Sequence, residues 1–486
     1  MLSAYKLTTL MKCRFHHAIF VGLISLTGLH VSSQAFADTG IETGTRLKLD
    51  AAINLAKQDD VWLEGSQHRE NALLDESFAA SSLPDPRVSL SAGNFPLDTL
   101  DQNQEPMTQI VVGVTQMFPR GDSLNLSARI KREIASQEPF LRKDRSAKVD
   151  STVTQLWLSR YLAQESIRLI EQDRFLFQQL IEATRANYVS TLGRARQQDV
   201  IQAQLELTRF DDRLAQLNSA RDVTQQQLSE WIGSDAYQPL SNEMPNLKLE
   251  ASLIELIQPV SSQSAHESQR NKAINNKATL YELIKNHPSL LALRRHLQAT
   301  DTSISLAKQK YKPEWGLTAS YGYRAEDTNG NDRADLASIG LTFDLPIFTN
   351  NRQDREISAA KYRNESLKTE EQLLARQLIS NLGSQLVQLQ RLNERKALYD
   401  NTLLPQMKAQ SEASLSAYNN DDGDFSEAVR AQISLLNSKI EALTIAVSQQ
   451  QTIAHIHYLT TGLAPDNSEF SSSSTNITEG DFYEYQ

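Results

Sequence analysis

Cysteine is almost missing from this chain. Cys13 is the only one among 486 residues, and it precedes Ala35-Phe36-Ala37, a small-x-small cleavage pattern. Residues 1–37 read as a secretory signal, with a basic start (Lys6, Lys12, Arg14) and an apolar run from Ala18 to Leu29 too short to span a bilayer. Met11 competes with Met1 as the initiator. The mature chain then has no disulfide, no thiolate metal ligand and no cysteine for lipid attachment. Glycine and proline are scarce too, at 18 and 14, so long uninterrupted elements follow. No stretch after residue 37 is apolar for the twenty residues a membrane helix needs, so a membrane-inserted form has to be a β-barrel. Loss of the three signal cations takes the net charge from −10 to −13, which argues against nucleic acid as a partner. Enzyme motifs are lacking as well: there is no Gly-rich phosphate loop, nucleophile elbow or His-Glu-x-x-His, and no cofactor fingerprint. His455 and His457 stand two apart on a helical pattern, so their side chains diverge rather than converge on a metal.

What the chain does have is one arrangement written twice. Leu83-Pro-Asp-Pro86 opens a strand and Met117-Phe-Pro119 ends another; Tyr311-Lys-Pro313 and Asp344-Leu-Pro346 do the same later. Pro86 to Pro313 and Pro119 to Pro346 are both 227 residues apart. Tyr188 with Gly193 recurs as Tyr418 with Gly423, and Ala203-Gln204 as Ala431-Gln432. A repeat of this size constrains the architecture more than any local motif. The expected organisation is a first repeat over 38–233, a linker over 234–278 packed outside the main body, a second repeat over 279–464, and a poorly ordered acidic tail over 465–486.

The strands alternate strictly. Trp315, Leu317, Ala319, Tyr321 and Tyr323 face one side, against Gly316, Thr318, Ser320 and Gly322. Ile339 and Leu341 continue the apolar set against Ser338, Gly340 and Thr342, while Val88, Leu90, Ile110, Val112 and Val114 supply it in the first repeat. Alternation alone also suits a half-buried soluble sheet. Strand lengths near the 9–11 residues of a tilted membrane strand, small polar residues on the other face, and aromatics at the strand ends favour lipid. Trp315, Leu317, Tyr321, Ile339 and Leu341 are therefore the expected lipid-facing residues. Four strands cannot close a barrel, because the smallest outer-membrane barrels use eight, so two or three chains have to share one.

The helices are too long for an ordinary domain. Helical pattern runs from about Arg120 to Ala186, interrupted at Pro139, and from about Asn351 to Tyr418, bent at Pro405; each extends about 100 Å. Return helices cover Asp199–Gly233 and Ser426–Gly462. Leu207, Phe210, Leu214 and Leu217, and likewise Ile433, Leu436, Ile440, Leu443 and Val447, keep heptad-like spacing, as helices packed side by side require.

Together these residues resemble the TolC-like outer-membrane factor (outer membrane efflux protein) family over about Leu47 to Gly462. The signals are the Leu-Pro-x-Pro opening, the duplicated strand–strand–long helix order, and the Tyr188, Gly193, Asp199 turn. The resemblance implies an α+β membrane protein: a homotrimer whose outer-membrane β-barrel takes four strands per chain and continues as a long periplasmic α-helical barrel. It also implies a passive, non-enzymatic duct in a Gram-negative outer membrane, joined by a periplasmic adaptor to an inner-membrane resistance-nodulation-division pump. Asn94-Phe-Pro96, Glu105-Pro-Met-Thr108 and Val112–Gly121 look most like the heavy-metal efflux branch, with drug efflux and type I protein secretion as alternative cargoes. A coiled-coil surface protein with no transport role is the rival from another class, and it leaves the two-faced strand pairs without a purpose.

In that family, acids just after the hairpin turns close the periplasmic entrance. Here Asp199, Asp421, Asp422, Asp424 and Glu427 are the counterparts, with Arg430 standing where a second acid is expected. The simpler role for Asp199 and Glu427 is a helix cap or first-turn carboxylate. Leu192, Gly193 and Gly423, at the turns, are the expected adaptor contacts.

Overall fold

A computed structural model describes residues 46–189, 196–250, 253–254, 256, 277–420 and 423–463. The expected signal, the tail, Leu192, Gly193, Asp421 and Asp422 lie outside them. Two helices come first, α1 (Leu49–Gln58) and α2 (Val61–Ser81), then β1 (Arg87–Gly93) and β2 (Gln109–Phe118). Next are α3 (Ser123–Ala135), α4 (Glu138–Val189), α5 (Gln197–Ile232) and a 3-10 turn at Gly233–Tyr237. The same order then returns: α6 (Lys277–Ile284), α7 (Pro288–Gln309), β3 (Trp315–Tyr323), β4 (Leu336–Phe343), α8 (Gln353–Leu398), α9 (Leu404–Asn419) and α10 (Phe425–Leu459).

Local chemistry sets the element ends. Asp60 accepts a hydrogen bond from the Trp62 N–H at 3.1 Å and starts α2. His287 does the same for α7, its Nδ1 accepting from the Ser289 N–H at 3.3 Å with Pro288 in the first position. Burial pushes the His287 pKa down, which keeps the ring neutral and its Nδ1 lone pair free. Pro139 is the second residue of α4, where a missing N–H costs nothing, so the break falls just before it. Pro405 sits inside a continuous helical path, and a π-helical turn at Tyr399–Leu403 absorbs the lost bond. At 52 residues, α4 is about 78 Å long.

The four strands form one antiparallel sheet in the order β1-β2-β3-β4. Below it the helices attached to those strands form a row in the same order: α3 packs between α2 and α7, and α8 lies beyond α7. Farther along, α5, α4 and α10 follow one another, with α8 and α9 on the far side of α10. Among the described residues, every layer is thus an open row with two free edges.

Three apolar clusters hold the rows. Trp157, Leu158, Leu228, Ile232 and Val447 centre the first; Leu290, Leu382, Leu386, Leu389 and Ile456 the second; Ile170, Phe177, Phe210, Phe425 and Leu436 the third. The heptad residues named above all belong to these clusters or pack against them. In the described part of the segment after α5, Ala236, Leu240 and Leu253 are buried, and Arg160 donates to the Ala236 and Gln238 carbonyls at 2.7 and 2.9 Å. Leu47 and Leu240 also pair as a short parallel bridge, tying the start of the described chain to this segment. His457, which diverges from His455 as expected, bonds the Lys248 carbonyl at 2.9 Å and fastens the same stretch.

Candidate functional site

The strand register aligns one face across all four strands. Val88, Val114, Ala319 and Ile339 lie in one row, and Leu90, Val112, Tyr321 and Ala337 in another. Leu317 faces Leu341, and Phe118, Trp315 and Phe343 close one end, with the Trp315 and Phe343 rings 5.0 Å apart. Ile339, 83% exposed, and Leu341, 60% exposed, have nothing over them. From Phe118 to Ile110 the face runs about 26 Å along the strand. The opposite face carries Ser89, Gly113, Thr115, Thr318, Ser320, Ser338 and Gly340, and the Thr115 and Thr318 hydroxyls meet at 3.0 Å.

The polar face is the crowded one. A Cβ on Gly113 would stand 2.8 Å from the Ser89 hydroxyl, and one on Gly316 would stand 2.6 Å from the Thr342 hydroxyl and 2.8 Å from the Met117 sulfur. Crowding on the polar side with splaying on the apolar side is how a sheet curves around a wet interior. Where the sheet meets the helices, Arg120 bonds Asp344 and the Lys312 carbonyl, and so joins β2 to the segments around β3 and β4. The Glu314 N–H, together with Arg120, holds the Asp344 pKa below the usual carboxylate range.

At the other end of the molecule, α9 turns into α10 at Gly423. A Cβ there would be 2.9 Å from both the Ala417 Cβ and the Tyr418 nitrogen, so close approach of the two arms calls for glycine. Tyr418 and Phe425 pack edge to face across the turn at 5.5 Å. Asp424 holds the N-cap position with extended backbone, yet its carboxylate makes no capping bond. Its carbonyl receives the Glu427 and Ala428 N–H groups at 3.1 and 3.3 Å. Glu427 lies in the first turn, and Asp424, Glu427 and Arg430 are all exposed. Asp199 takes the equivalent first-turn place in α5. Three of the predicted acids and the arginine thus keep their positions on the hairpin ends, with Asp424 and Glu427 turned to solvent.

Sequence reasoning missed a set of polar cross-links between the long helices, exposed except at Asp173. Arg174 pairs with Asp211 at 2.8 Å, Arg395 with Glu441 at 2.6 Å, and Arg213 donates to Asn437 at 2.5 Å. Asp173, 6% exposed, meets Lys439 only at 3.8 Å. The adjacent Asp-Arg pair at 173–174 and the Asp-Asp-Arg run at 211–213, the latter within the Leu207–Leu217 seam, were the available signal. Burial pushes the Asp173 pKa up, with Lys439 opposing. A raised carboxylate pKa stabilises the fold below the unfolded value, and that stability is lost as pH rises through the folded pKa. Asp173→Asn is therefore expected to lose less stability than the parent between pH 4 and pH 7, as read by thermal melting at each pH. A steeper loss in the variant would mean that Lys439 outweighs the burial.

Among the described residues no group of three histidines, cysteines or carboxylates is placed to hold a metal, and no helix is long and apolar enough to cross a membrane.

Residues 279–460 match the family model of outer membrane efflux proteins. No curated protein sequence matches the chain. Among solved structures, the outer membrane protein VceC from Vibrio cholerae shares the fold at 14% identity and a TM-score of 0.66, over 86% of this chain and 97% of its own. A membrane protein from Pseudomonas aeruginosa does so at 15% identity and a TM-score of 0.68, over 85% and 90%. The CmeC outer membrane channel of Campylobacter jejuni follows at 13% and 0.66, over 85% of each chain. The match at 279–460 covers the second set of strands and long helices, and over that stretch the chain is similar to the outer membrane efflux proteins, whose fold the solved channels share.

Proposed function

We propose that this chain is one third of a passive exit duct: the outer-membrane channel of a tripartite efflux system, working with a periplasmic adaptor and an inner-membrane resistance-nodulation-division pump. The observation that carries the reading is the matched pair of open rows. β1 and β4 each leave one edge unpaired, and the helix rows below them end the same way. Open strand edges in lipid cost several kcal/mol for each unsatisfied group, so copies have to close the sheet on one another. Three copies supply twelve strands, as in the family this chain resembles, with the crowded polar face turned to the lumen. Apolar side chains wait at both helix edges: Val61 and Phe78 on α2, Tyr362 and Leu373 on α8, each more than half exposed.

The cargo we propose is heavy-metal cations. Support comes from Asn94-Phe-Pro96, Glu105-Pro-Met-Thr108 and the Val112–Gly121 run, which resemble the metal branch. Deleting the gene in its host is expected to raise sensitivity to copper, silver, cobalt, zinc or cadmium salts and leave sensitivity to dyes and antibiotics unchanged. The opposite pattern would assign an organic cargo.

The acidic turns belong to the same reading, as the periplasmic mouth and the place where the adaptor docks through Leu192, Gly193 and Gly423. Three-fold repetition of Asp199, Asp421, Asp422, Asp424 and Glu427 concentrates negative charge at a narrow opening and favours cations. Asp424→Ala with Glu427→Ala is expected to lower cation selectivity in planar bilayers and to weaken block by a trivalent cation. Unchanged selectivity would reduce both residues to surface and first-turn carboxylates.

A further inference from the structure

β4 is too short for the membrane it faces. It has 8 residues, against the 9–11 of a tilted membrane strand. Its outward side chains, Ala337 to Phe343, cover about 20 Å along the strand, which a tilt of about 40° reduces to about 15 Å of an apolar band of about 25 Å. The chain beyond the strand supplies what is missing. Leu345 and Ile347 carry on the alternation of Ile339, Leu341 and Phe343, and they are 64% and 69% exposed. Phe348 follows at 85%. Three large apolar side chains exposed within four residues mark a contact surface rather than scattered surface residues.

The first repeat has no counterpart. Only Arg120, Gly121 and Asp122 join Pro119 to α3, and they are tied down, Arg120 to Asp344 and the Asp122 N–H to the Gln309 side chain at 3.2 Å. From Pro346 to α8 the chain runs through residues 347–352, and the added length brings in Ile347 and Phe348. This longer connection is held as well. The Ile347 N–H donates to the Leu345 carbonyl at 2.9 Å, and the Thr349 carbonyl accepts from the Asp354 and Arg352 N–H groups at 3.0 and 3.3 Å. At its end Arg352 extends a side chain 77% exposed, with the Glu356 carboxylate only at 4.0 Å.

We infer that Leu345, Ile347 and Phe348 are an anchor in the periplasmic leaflet of the outer membrane, set in the acyl chains on the helix side of the Trp315 and Phe343 rings, with Arg352 among the phospholipid phosphates. This rests on the lipid-facing reading of the sheet and extends it past the barrel, to the start of the periplasmic helices. Apolar side chains first and a cation next match the passage from acyl chain to anionic headgroup. A neighbouring copy does not compete for the same side chains. Its β1 would run antiparallel to β4, so the residues before Arg87 would lie beside Leu345 to Phe348, and there Pro84 and Pro86 have no N–H to extend the ladder. Strand pairing also joins backbone edges and leaves outward side chains uncovered.

Cys13 precedes the cleavage site, so Phe348→Cys gives the mature protein one thiol for a nitroxide spin label. The labelled protein is placed in vesicles of phosphatidylethanolamine and phosphatidylglycerol, and its collisions with oxygen and with a water-soluble nickel chelate are compared. The expected result is oxygen dominance, at a ratio close to that of the label at Ile339→Cys and opposite to that at Asn329→Cys in the outer loop. Ile347→Cys repeats the reading at a second position. Nickel dominance at 347 and 348 beside oxygen dominance at 339 would overturn the anchor and leave the lipid face of the sheet standing. Labels at 347 and 348 reached by neither reagent would overturn it in favour of burial against a second copy. Nickel dominance at 339 as well would remove the lipid face and the anchor together.

Discussion

Ile339→Arg is expected to destabilise each chain by about 2–4 kcal/mol in lipid, the range for a cation at the bilayer midplane on a barrel's outer face. Ile339 pairs with Ala319 midway along the apolar face, 83% exposed, with aromatics toward the ends of the strands. Closure repeats the site in every copy, so assembly into the membrane is expected to fail well before the isolated fold does. Ser320→Arg is the matched control. Ser320 lies in the adjacent strand position between Gly113 and Ser338, on the polar face, where an arginine can reach water. Heat-modifiable mobility in gels of outer-membrane fractions reads both. Strong loss at Ile339 with mild loss at Ser320 supports the face assignment; equal losses would contradict it.

Trp157→Ala is the second large effect, at about 3–5 kcal/mol for a fully buried aromatic removed from a packed core. The Trp157 ring is 0% exposed and stacks on Tyr161 at 5.5 Å with an interplanar angle of 10°. Its Nε1–H donates to the Leu47 carbonyl at 3.2 Å, where the incoming chain also bridges Leu240. The variant leaves a cavity between α1, α4 and the end of α5. It should lower the melting temperature and, by freeing the Leu47 backbone, speed tryptic cleavage at the exposed Arg46 and Lys48. Trp157→Phe keeps most of the packing and loses only the hydrogen bond, so it should fall between the two. An alanine variant that melts with the parent would show that this cluster does not anchor the first half of the chain.

The parts legible in the sequence are those governed by period and punctuation. Strand limits followed from the prolines at 86, 119, 313 and 346, and their faces from strict alternation, because a one-residue slip would turn every side chain over. The seams at Leu207–Leu217 and Ile433–Val447 were legible for the same reason: spacing alone decides which helical face is buried. In the segment after α5, Ser, Asn, Gln and Pro dominate the composition, while three apolar residues, Ala236, Leu240 and Leu253, do the anchoring and carry no periodic signal. Asp173 was not legible as buried, because only the packing of α4 against α5 and α10 puts it inside. The acidic turns were found by resemblance and position. The grouping around one axis proposed for them would be a property of several chains, which no pattern within one chain encodes.

The account stands on closure by three copies, and the direct measurement is the native mass of the protein extracted from membranes in mild detergent, with circular dichroism on the same fraction. The expected result is three mature chains per particle, with β signal and trimer lost together on denaturation. A single chain that keeps its full β content in detergent would contradict it.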